Sequence, residues 1–367
     1  MQVSTEFNNN LYKQNYKKLF TNLLHYNRTS LKNTIFLLQV MWYQWKANNT
    51  RKQTKKNGTE VPPLIFLSIT KSCNLNCKGC YQKAQTRSSE KEMSTEKIIS
   101  VLKEGEVLGS SVVGILGGEP FMRKDIFTIA GSMKKMIFAV FTNGILIDDG
   151  KIKQLKQNKN IIPIISNEGS ECETDDRRGV GVYDNFRKVA QKFKENNIIF
   201  GVSFTVTSNN FEIVNDEVFI KELVSLGSTI FFYMDYQAID GISSNLTLNE
   251  DQLKVLEDYI DTFRLKYNAQ YFSPASEKRF GGCFGAGNGL IHINYDGSVE
   301  PCPFAPISDM NLHNVTLKEA LSSDFMRIIR ENRGNLEETN EGGCTLWENR
   351  EWLFRLKKEE EEITKAG

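Results

Sequence analysis

The stretch LIFLSITKSCNLNCKGC, residues 64–80, decides the architecture, because an apolar segment runs directly into a loop of closely spaced cysteines. Its first part, LIFLSI at residues 64–69, has the length and apolar composition of a buried strand. The loop that follows carries Cys73, Cys77 and Cys80 at the spacing C-x3-C-x2-C. We therefore expect a strand whose carboxyl end leads to a set of three thiols.

Further short apolar runs follow this segment, and segments with helical periodicity lie between them. The runs occupy residues 112–116, 137–142, 161–166, 199–206 and 229–235, and the helical segments occupy residues 95–108, 183–196 and 216–226. Ser94 precedes the first of these helices and is a suitable N-cap. The alternation predicts a parallel α/β sheet with right-handed crossovers, either doubly wound or curled into part of a barrel. In both arrangements the chemistry lies at the carboxyl ends of the strands.

The overall composition excludes some classes of function and leaves others open. The 367 residues include 46 Lys and Arg against 45 Asp and Glu, a net charge of +1, so we expect no nucleic-acid partner. An odd number of cysteines, seven, is typical of a reduced protein whose thiols bind metal rather than form disulfides. The opening residues MQVSTEFNNN lack the pattern of a secretory signal, which favours a cytoplasmic location.

The first 62 residues precede the strand pattern, and we interpret them as a helical extension with a polar linker at residues 48–60. The aromatic segment MWYQWKA at residues 41–47 allows two interpretations. It either packs on the body of the protein or lies at a membrane surface as an amphipathic anchor. Basic residues that would support the second interpretation are Lys17, Lys18 and Arg28.

The cysteine triplet provides thiolate ligands for three irons of a [4Fe-4S] cluster. The fourth iron then keeps an open position for an exogenous ligand, which makes it a reaction site. A zinc loop is the alternative, but tetrahedral zinc sites take four ligands and commonly use paired C-x2-C units, and no second pair follows. We therefore expect Cys73, Cys77 and Cys80 to hold a [4Fe-4S] cluster.

The segment GILGGEPF at residues 114–121 ends the second predicted strand with a GGEP motif, Gly117 to Pro120. Together with the cysteine triplet, this motif resembles the radical S-adenosylmethionine superfamily. The resemblance implies that S-adenosylmethionine chelates the open iron through its methionine amino and carboxylate groups. An electron from a flavodoxin- or ferredoxin-type donor then cleaves it into methionine and a 5′-deoxyadenosyl radical. One departure is Gly79, at a position that is often aromatic in the superfamily.

The resemblance also implies which side chains surround S-adenosylmethionine. Glu119 belongs to the amino-group site, where a carboxylate facing an ammonium gives a charge-assisted hydrogen bond. Arg178, or in its place Arg177, suits the methionine carboxylate because a guanidinium binds carboxylates in a bidentate manner. For Asn143 and Ser203 the capping of strand ends is an equal alternative. The full predicted set is Tyr81 near the adenine, Gly117, Gly118, Glu119 and Pro120, Asn143, Ser166 and Glu168 at the ribose hydroxyls, Arg178, and Ser203.

The carboxyl-terminal part carries Cys283 and Cys302 in the pattern C-x13-G-x4-C, with Cys344 further on. The segment IHINYDGSVEPC predicts a hairpin, residues 291–294 and 298–300, with its turn at Asp296 and Gly297. This arrangement resembles a truncated SPASM or twitch extension, which implies one auxiliary [4Fe-4S] cluster on the three cysteines. Cys172, another side chain or the substrate would supply the fourth ligand. The alternatives are buried free cysteines, or a zinc site completed by His292 or His313.

Three regions and one reaction follow from these observations. We expect a helical extension at residues 1–62, a radical S-adenosylmethionine core at residues 63–246 folded as a partial (β/α)6 barrel, and a twitch- or SPASM-like region with a helical tail at residues 247–367. The expected reaction is hydrogen-atom abstraction from a peptide or protein substrate. Small-molecule chemistry, such as tetrapyrrole biosynthesis, is the competing enzymatic interpretation. A non-catalytic iron–sulfur or zinc protein with a redox or scaffolding role is the third.

Overall fold

The computed structural model describes residues 31–85, 91–239, 243–267, 269–272, 282–334, 336 and 344–366. The expectations for residues 1–30, including Lys17, Lys18 and Arg28, lie outside these residues. The strands are β1 (Leu64–Ser68), β2 (Val112–Leu116), β3 (Ile137–Thr142), β4 (Ile161–Ser166), β5 (Gly201–Val206), β6 (Ile230–Asp235), β7 (Ala269–Phe272), β8 (Leu290–Ile293), β9 (Ser298–Glu300) and β10 (Met310–Asn311). The helices are α1 (Leu31–Lys56), α2 (Tyr81–Ala84), α3 (Thr95–Leu108), α4 (Ile126–Gly131), α5 (Asp149–Gln157), α6 (Glu171–Arg178), α7 (Val182–Glu195), α8 (Phe211–Val214), α9 (Glu217–Ser225), α10 (Glu250–Tyr267), α11 (Leu317–Leu321), α12 (Asp324–Asn332), α13 (Thr345–Glu348) and α14 (Arg350–Ala366).

The described strands form one sheet in the order β10-β9-β8-β1-β2-β3-β4-β5-β6-β7. Strands β8 and β1 to β7 run parallel, and β9 and β10 add to one edge in antiparallel fashion. The predicted α/β class with a parallel sheet is confirmed, and the sheet forms the wall of a partial barrel. Strand β7 was not expected from the sequence, and it extends the parallel part beyond six strands.

Alternate side chains of the strands face two different environments, as the pleat of a strand requires. Ile65, Val113 and Phe138 belong to the main core between the sheet and the flanking helices. Ile162 and Ile164 of β4 instead face the inside of the barrel and pack with α1. Helix α3 on the outer face begins at the predicted N-cap Ser94, which accepts a hydrogen bond from the Lys97 amide at 3.2 Å.

Helix α1 lies across the amino ends of the strands and closes that end of the barrel. Its Leu37 and Val40 are buried against the inside of the sheet. Asn33 Nδ2 donates to the Asn197 carbonyl at 3.1 Å, and Gln44 Nε2 donates to the Ser111 carbonyl at 3.4 Å. Both acceptors precede strands, so one face of α1 is held at the end of the barrel opposite the strand carboxyl ends.

The polar segment predicted as a linker, residues 48–60, is helical as far as Lys56. It contains no glycine or proline before Gly58, whose φ of 90° ends the helix. Arg51 Nη1 donates to the Gly109 carbonyl at 2.6 Å, and Thr54 Oγ1 donates to the Leu108 carbonyl at 3.1 Å. Polar composition indicated a linker, whereas these tertiary contacts continue the helix. None of the helices in the described part of the chain has the length and hydropathy needed to cross a bilayer.

The predicted carboxyl-terminal hairpin is present as β8 and β9, and it is joined to the barrel through β1. Gly297 adopts a φ of 88° at the turn, which a residue with a side chain rarely adopts. His292 of β8 is buried, and its Nε2 lies 2.8 Å from Ser68 Oγ at the end of β1. Its Nδ1 lies 2.6 Å from Glu300 Oε2 on β9. A buried polar chain therefore ties the hairpin to the first barrel strand.

Candidate functional site

The inside of the barrel contains a cavity of about 550 Å³, which extends from Leu37 and Val40 of α1 to the carboxyl ends of the parallel strands. Every barrel strand from β1 to β6 contributes to its lining, and so does the segment that follows β9. Six of the seven cysteines line this one cavity: Cys73, Cys77, Cys80, Cys283, Cys302 and Cys344. Cys172, which we considered as a fourth cluster ligand, is exposed and is not among the lining residues.

The cysteine loop between β1 and α2 is fixed by backbone contacts from three neighbouring elements. The Glu119 amide donates to the Ser72 carbonyl at 2.8 Å, and the Lys78 amide donates to the Arg177 carbonyl at 2.9 Å. Asn143 Nδ2 donates to Asn74 Oδ1 at 2.9 Å. These hydrogen bonds hold the loop at the cavity wall.

The three thiols of the triplet line the same cavity. The pKa of Cys73 is raised, first by partial removal of the thiol from water, then by the nearby charges of Glu119, Cys77 and Cys80. Within the described residues, no set of three or more His, Cys, Asp or Glu side chains is grouped closely enough to hold a single metal ion. The thiolates of a cubane bind three different irons and therefore stand apart. A shared cavity wall with neighbouring but separate thiols fits a [4Fe-4S] cluster.

The two glycines of the GGEP motif are needed for contact with the cysteine loop. A Cβ built on Gly118 would lie 2.0 Å from the Ser72 carbonyl oxygen, and one on Gly117 would lie 2.4 Å from the Thr70 carbonyl oxygen. Gly117 also has a φ of 106°. The sequence predicts that these glycines belong to the ligand site, and they do line the cavity. Their lack of a side chain also allows the backbone of the loop that carries the cysteines to approach closely.

Glu119 is a buried carboxylate, 1% exposed, at the wall of the cavity. Its Oε1 accepts from Thr142 Oγ1 at 2.8 Å and from the Phe121 amide at 3.0 Å, and its Oε2 accepts from the Asn143 amide at 2.8 Å. Burial nevertheless raises the pKa of Glu119, and these hydrogen bonds offset only part of that effect. A carboxylate in this state gains most from a cation in the cavity, and the ammonium of an amino acid has the required charge.

Arg177 and Arg178 both line the cavity and both bind Glu168. Arg177 Nη1 lies 2.6 Å from Glu168 Oε1, and Arg178 Nε lies 2.7 Å from the same oxygen. Burial lowers the pKa of Arg178, but Glu168 and the thiols of Cys77 and Cys80 raise it further, so that the net shift is upward. Helix α6 thus presents two fixed guanidinium groups to the cavity.

Two predicted ligand-binding residues lie behind the cavity wall instead of in it. Glu168, expected at the ribose hydroxyls, is 1% exposed, and its Oε2 accepts from the Thr205 amide at 3.1 Å. It therefore anchors the two arginines and does not line the cavity. Pro120 begins a 3-10 turn and is buried beneath Glu119. The other predicted residues do line the cavity: Tyr81, Gly117, Gly118, Glu119, Asn143, Ser166, Arg178 and Ser203.

The departure at Gly79 has a structural counterpart directly after β6. Gly79 has a φ of 62°, and a Cβ at this position would lie 2.7 Å from the hydroxyl of Tyr236. Tyr236 is buried and lines the cavity, so an aromatic ring packs against the cluster loop from another element. Tyr81 makes an edge-to-face contact with Phe304, with ring centroids 5.6 Å apart, which joins the loop to the carboxyl-terminal region.

Several lining residues were missed from the sequence. Thr205 at the end of β5 and Asp235, Tyr236 and Gln237 at the end of β6 all line the cavity. The signal was available, since MDYQ at residues 234–237 places polar side chains directly after an apolar strand. Position alone did not distinguish them from ordinary residues at a strand end.

The carboxyl-terminal cysteines Cys283, Cys302 and Cys344 also line the cavity. The Gly285 amide donates to Cys283 Sγ at 3.3 Å, and Cys283 and Cys344 are buried. Neither histidine of the zinc alternative is suitable as a ligand. Both ring nitrogens of His292 contact Ser68 or Glu300, and His313 is exposed and does not line the cavity. The donor set in the carboxyl-terminal region is therefore three thiols.

A partial α/β barrel with a C-x3-C-x2-C loop at the end of its first strand defines the class of iron–sulfur enzymes that use S-adenosylmethionine. Residues 67–226 match the family model of the Radical SAM superfamily. Residues 67–226 therefore form a radical SAM domain, and the protein is an enzyme. The family implies a [4Fe-4S] cluster and S-adenosylmethionine as its cofactors.

The curated relatives differ in what their names say they make. The chain is 28% identical over 198 residues to the Fe-coproporphyrin III synthase of Methanosarcina barkeri, covering 53% of this chain and 50% of that protein. It is 24% identical over 312 residues to the AdoMet-dependent heme synthase of Oleidesulfovibrio alaskensis, covering 76% and 79%. It is 28% identical over 175 residues to the sporulation killing factor maturation protein SkfB of Bacillus subtilis, covering 47% and 42%.

Among solved structures, the fold is similar to that of Streptococcus suis SuiB bound to S-adenosylmethionine. The TM-score is 0.62 at 19% identity, and the match covers 74% of this chain and 68% of SuiB. At this level of identity the similarity concerns the fold alone. The chain spans half the length of the first of the curated relatives above.

Proposed function

We propose that this enzyme uses a [4Fe-4S] cluster on Cys73, Cys77 and Cys80, together with S-adenosylmethionine, to abstract a hydrogen atom from a peptide or protein substrate. The observation that supports it most is the single cavity shared by the triplet, Glu119 and the two arginines of α6. When bound, the cluster and S-adenosylmethionine supply a 5′-deoxyadenosyl radical by reductive cleavage of a carbon–sulfur bond. A flavodoxin- or ferredoxin-type protein would deliver the electron.

The side chains of the chain itself would bind and orient S-adenosylmethionine. Glu119, buried and already hydrogen-bonded through both oxygens, would receive the methionine ammonium. Arg178 would bind the methionine carboxylate, because Glu168 already holds its guanidinium at the cavity wall. Ser166 and Ser203, on adjacent strands, would accept hydrogen bonds from the ribose hydroxyls.

We further propose an auxiliary [4Fe-4S] cluster on Cys283, Cys302 and Cys344, whose open iron would bind substrate or take up an electron. All three cysteines line the cavity that also contains the triplet. A peptide suits this arrangement, since one of its side chains would enter the cavity that both sets of cysteines line. The similarity to SkfB, named a maturation protein, supports this substrate class.

A second candidate is the modification of a tetrapyrrole. The similarity to the AdoMet-dependent heme synthase favours this candidate, because that match covers 76% of this chain and the match to SkfB covers 47%. Iron coproporphyrin III is a direct probe of this candidate. Its addition would raise deoxyadenosine formation and change the mass of the porphyrin if the second candidate holds, and would change neither if the substrate is a peptide.

The test of the proposed chemistry is anaerobic reconstitution followed by reduction with dithionite in the presence of S-adenosylmethionine. We expect about eight irons per chain and formation of 5′-deoxyadenosine. Replacing Cys73, Cys77 and Cys80 together by Ala should leave about four irons and abolish cleavage. The matched control is Cys172→Ala, which removes an exposed thiol outside the cavity and should change neither value. Cleavage that survives the triple replacement would refute the proposal.

A further inference from the structure

Helix α1 has two opposite faces, and only one of them is used by the barrel. The residues that face the barrel lie at positions 33, 37, 40 and 44, and a second series lies at positions 31, 35, 38, 42 and 45. The second series repeats the same 4-3-4 spacing two residues earlier, which at 100° per residue places it about 200° around the helix. The second face therefore points away from the protein.

This outer face is apolar and accessible along four turns. It presents Leu31, Ile35, Leu38, Trp42 and Trp45, with Met41 beside them, and their exposed fractions range from 38% for Met41 to 74% for Leu31. Of the fourteen exposed large apolar side chains among the described residues, these six lie within fifteen consecutive positions. Such a concentration is unlike the scattered apolar residues of an ordinary surface.

The same helix carries a strong positive charge in a chain that is almost neutral. It contains six basic residues and no acidic residue, whereas the net charge of the whole protein is +1. The spacing of the apolar face continues through Asn49 to Lys52 and Lys56, so the face ends in two exposed cations. Lys32 and Lys46 flank its apolar part, and Lys46 Nζ lies 3.7 Å from the centre of the Trp42 ring. Lys55 of α1 forms a salt bridge with Glu60.

We propose that α1 docks the enzyme on the surface of an anionic phospholipid membrane, with its outer face in the interfacial layer. An apolar stripe with tryptophans, bordered by lysines and free of acidic residues, has the chemistry of a helix that lies in the plane of a membrane. A protein partner would not require this excess of cations without acidic residues, whereas negatively charged lipid headgroups complement it. Since α1 closes the amino end of the barrel, the cavity mouth at the other end would face away from the membrane.

The direct test is flotation of the full-length protein with lipid vesicles. We expect binding to phosphatidylcholine vesicles that contain about 30% phosphatidylserine, and about 10-fold weaker binding to phosphatidylcholine alone. Raising the salt concentration from about 0.1 M to about 0.5 M should weaken the binding to the anionic vesicles. The double variant Lys52→Gln, Lys56→Gln should bind less and show a smaller salt dependence.

The apolar contribution is tested by Trp42→Gln combined with Trp45→Gln, which should reduce binding about 10-fold or more. A matched control is Val107→Gln with Val218→Gln, which removes two exposed apolar side chains from other helices and should leave binding unchanged. Thermal unfolding and iron content of each variant show that its fold is intact, and neither measurement depends on the proposed catalytic chemistry.

Three outcomes would overturn the proposal. The first is wild-type protein that does not float with anionic vesicles, or that floats equally well after the tryptophans are replaced. The second is a dimer in light scattering that the tryptophan variant converts to a monomer, which would assign the face to a second copy. The third is vesicle binding that appears only when residues 1–30 are removed, which would assign the face to those residues.

Discussion

Arg178 donates its Nε hydrogen to Glu168 Oε1 at 2.7 Å, and this contact fixes the guanidinium at the wall of the cavity. Glu168 is almost fully buried, and the side chains of Arg177 and Arg178 are 14% and 11% exposed. The carboxylate therefore acts through the arginines, and its replacement should affect stability and ligand binding together.

We expect Glu168→Gln to lower the free energy of unfolding by about 3 kcal/mol, because two largely buried cations lose their anionic partner. The dissociation constant of S-adenosylmethionine should rise about 10-fold, since Arg178 is no longer held in place. Chemical denaturation and calorimetric titration measure the two effects. The control is Glu222→Gln, whose ion pair with Arg187 is solvent-exposed and should contribute less than about 1 kcal/mol. Equal effects of both changes would contradict the assigned role.

Replacement of Gly118 by Ala should prevent assembly of the first cluster. The new methyl group would meet the Ser72 carbonyl at 2.0 Å, and backbone cannot move aside as a flexible side chain can. We expect the iron content to fall by about four per chain, with loss of S-adenosylmethionine cleavage. Gly131→Ala is the matched control, because the nearest atom to its Cβ is the end of the Asn158 side chain at 3.1 Å. Full iron content in Gly118→Ala would show that the loop is not in contact as described.

The buried chain of Ser68, His292 and Glu300 should make a large contribution to stability. His292→Leu removes a partner from a buried carboxylate, and we expect a loss of about 3 kcal/mol in the free energy of unfolding. Ser68→Ala removes one neutral hydrogen bond at the other ring nitrogen and should cost about 1 kcal/mol. His313→Leu, at an exposed position, serves as the control and should change stability little. A small effect of His292→Leu would mean that the hairpin is held by its backbone pairing alone.

Replacement of Cys302 by Ala should distinguish the roles of the two proposed clusters, because it should remove only the auxiliary one. Loss of one of three ligands should reduce the iron content from about eight to about four per chain, while uncoupled formation of 5′-deoxyadenosine continues at the intact triplet. Modification of substrate should cease. Iron and sulfide analysis with electron paramagnetic resonance provides the measurement, again with Cys172→Ala as the control. A wild-type content of only about four irons would exclude the auxiliary cluster.

The sequence predicted the barrel well, because its strands are short runs of largely buried apolar residues and its helices have regular apolar spacing. The bounds of β1 to β6 agree with the structure to within two residues. Local capping was also predictable, as Ser94 illustrates, because the interaction involves neighbouring residues only. In contrast, the continuation of α1 to Lys56 depends on contacts with Gly109 and Leu108, more than fifty residues away.

Motifs in the sequence singled out the triplet and Glu119, and these residues line the cavity. The residues that contact a ligand were not predictable where side chains on neighbouring elements bind each other. Glu168 and Arg178 are ten residues apart, and the sequence does not show that one side chain neutralises the other behind the cavity wall. The packing of Tyr236 on Gly79 and of His292 on Ser68 likewise joins distant segments, and no local pattern indicates such pairs.

Strand β1 has β2 on one side and β8 on the other, with Leu64 to Leu67 in register with Leu290 to Ile293. A polypeptide cut after residue 267 would leave β1 as an exposed edge strand, which can pair with strands of other molecules. During synthesis, β1 lacks a partner strand on this side until β8, in the last third of the chain, has been made. The pairing with β8 therefore protects an edge of the barrel, and we expect a chain trimmed of its carboxyl-terminal part to aggregate more readily than the full chain.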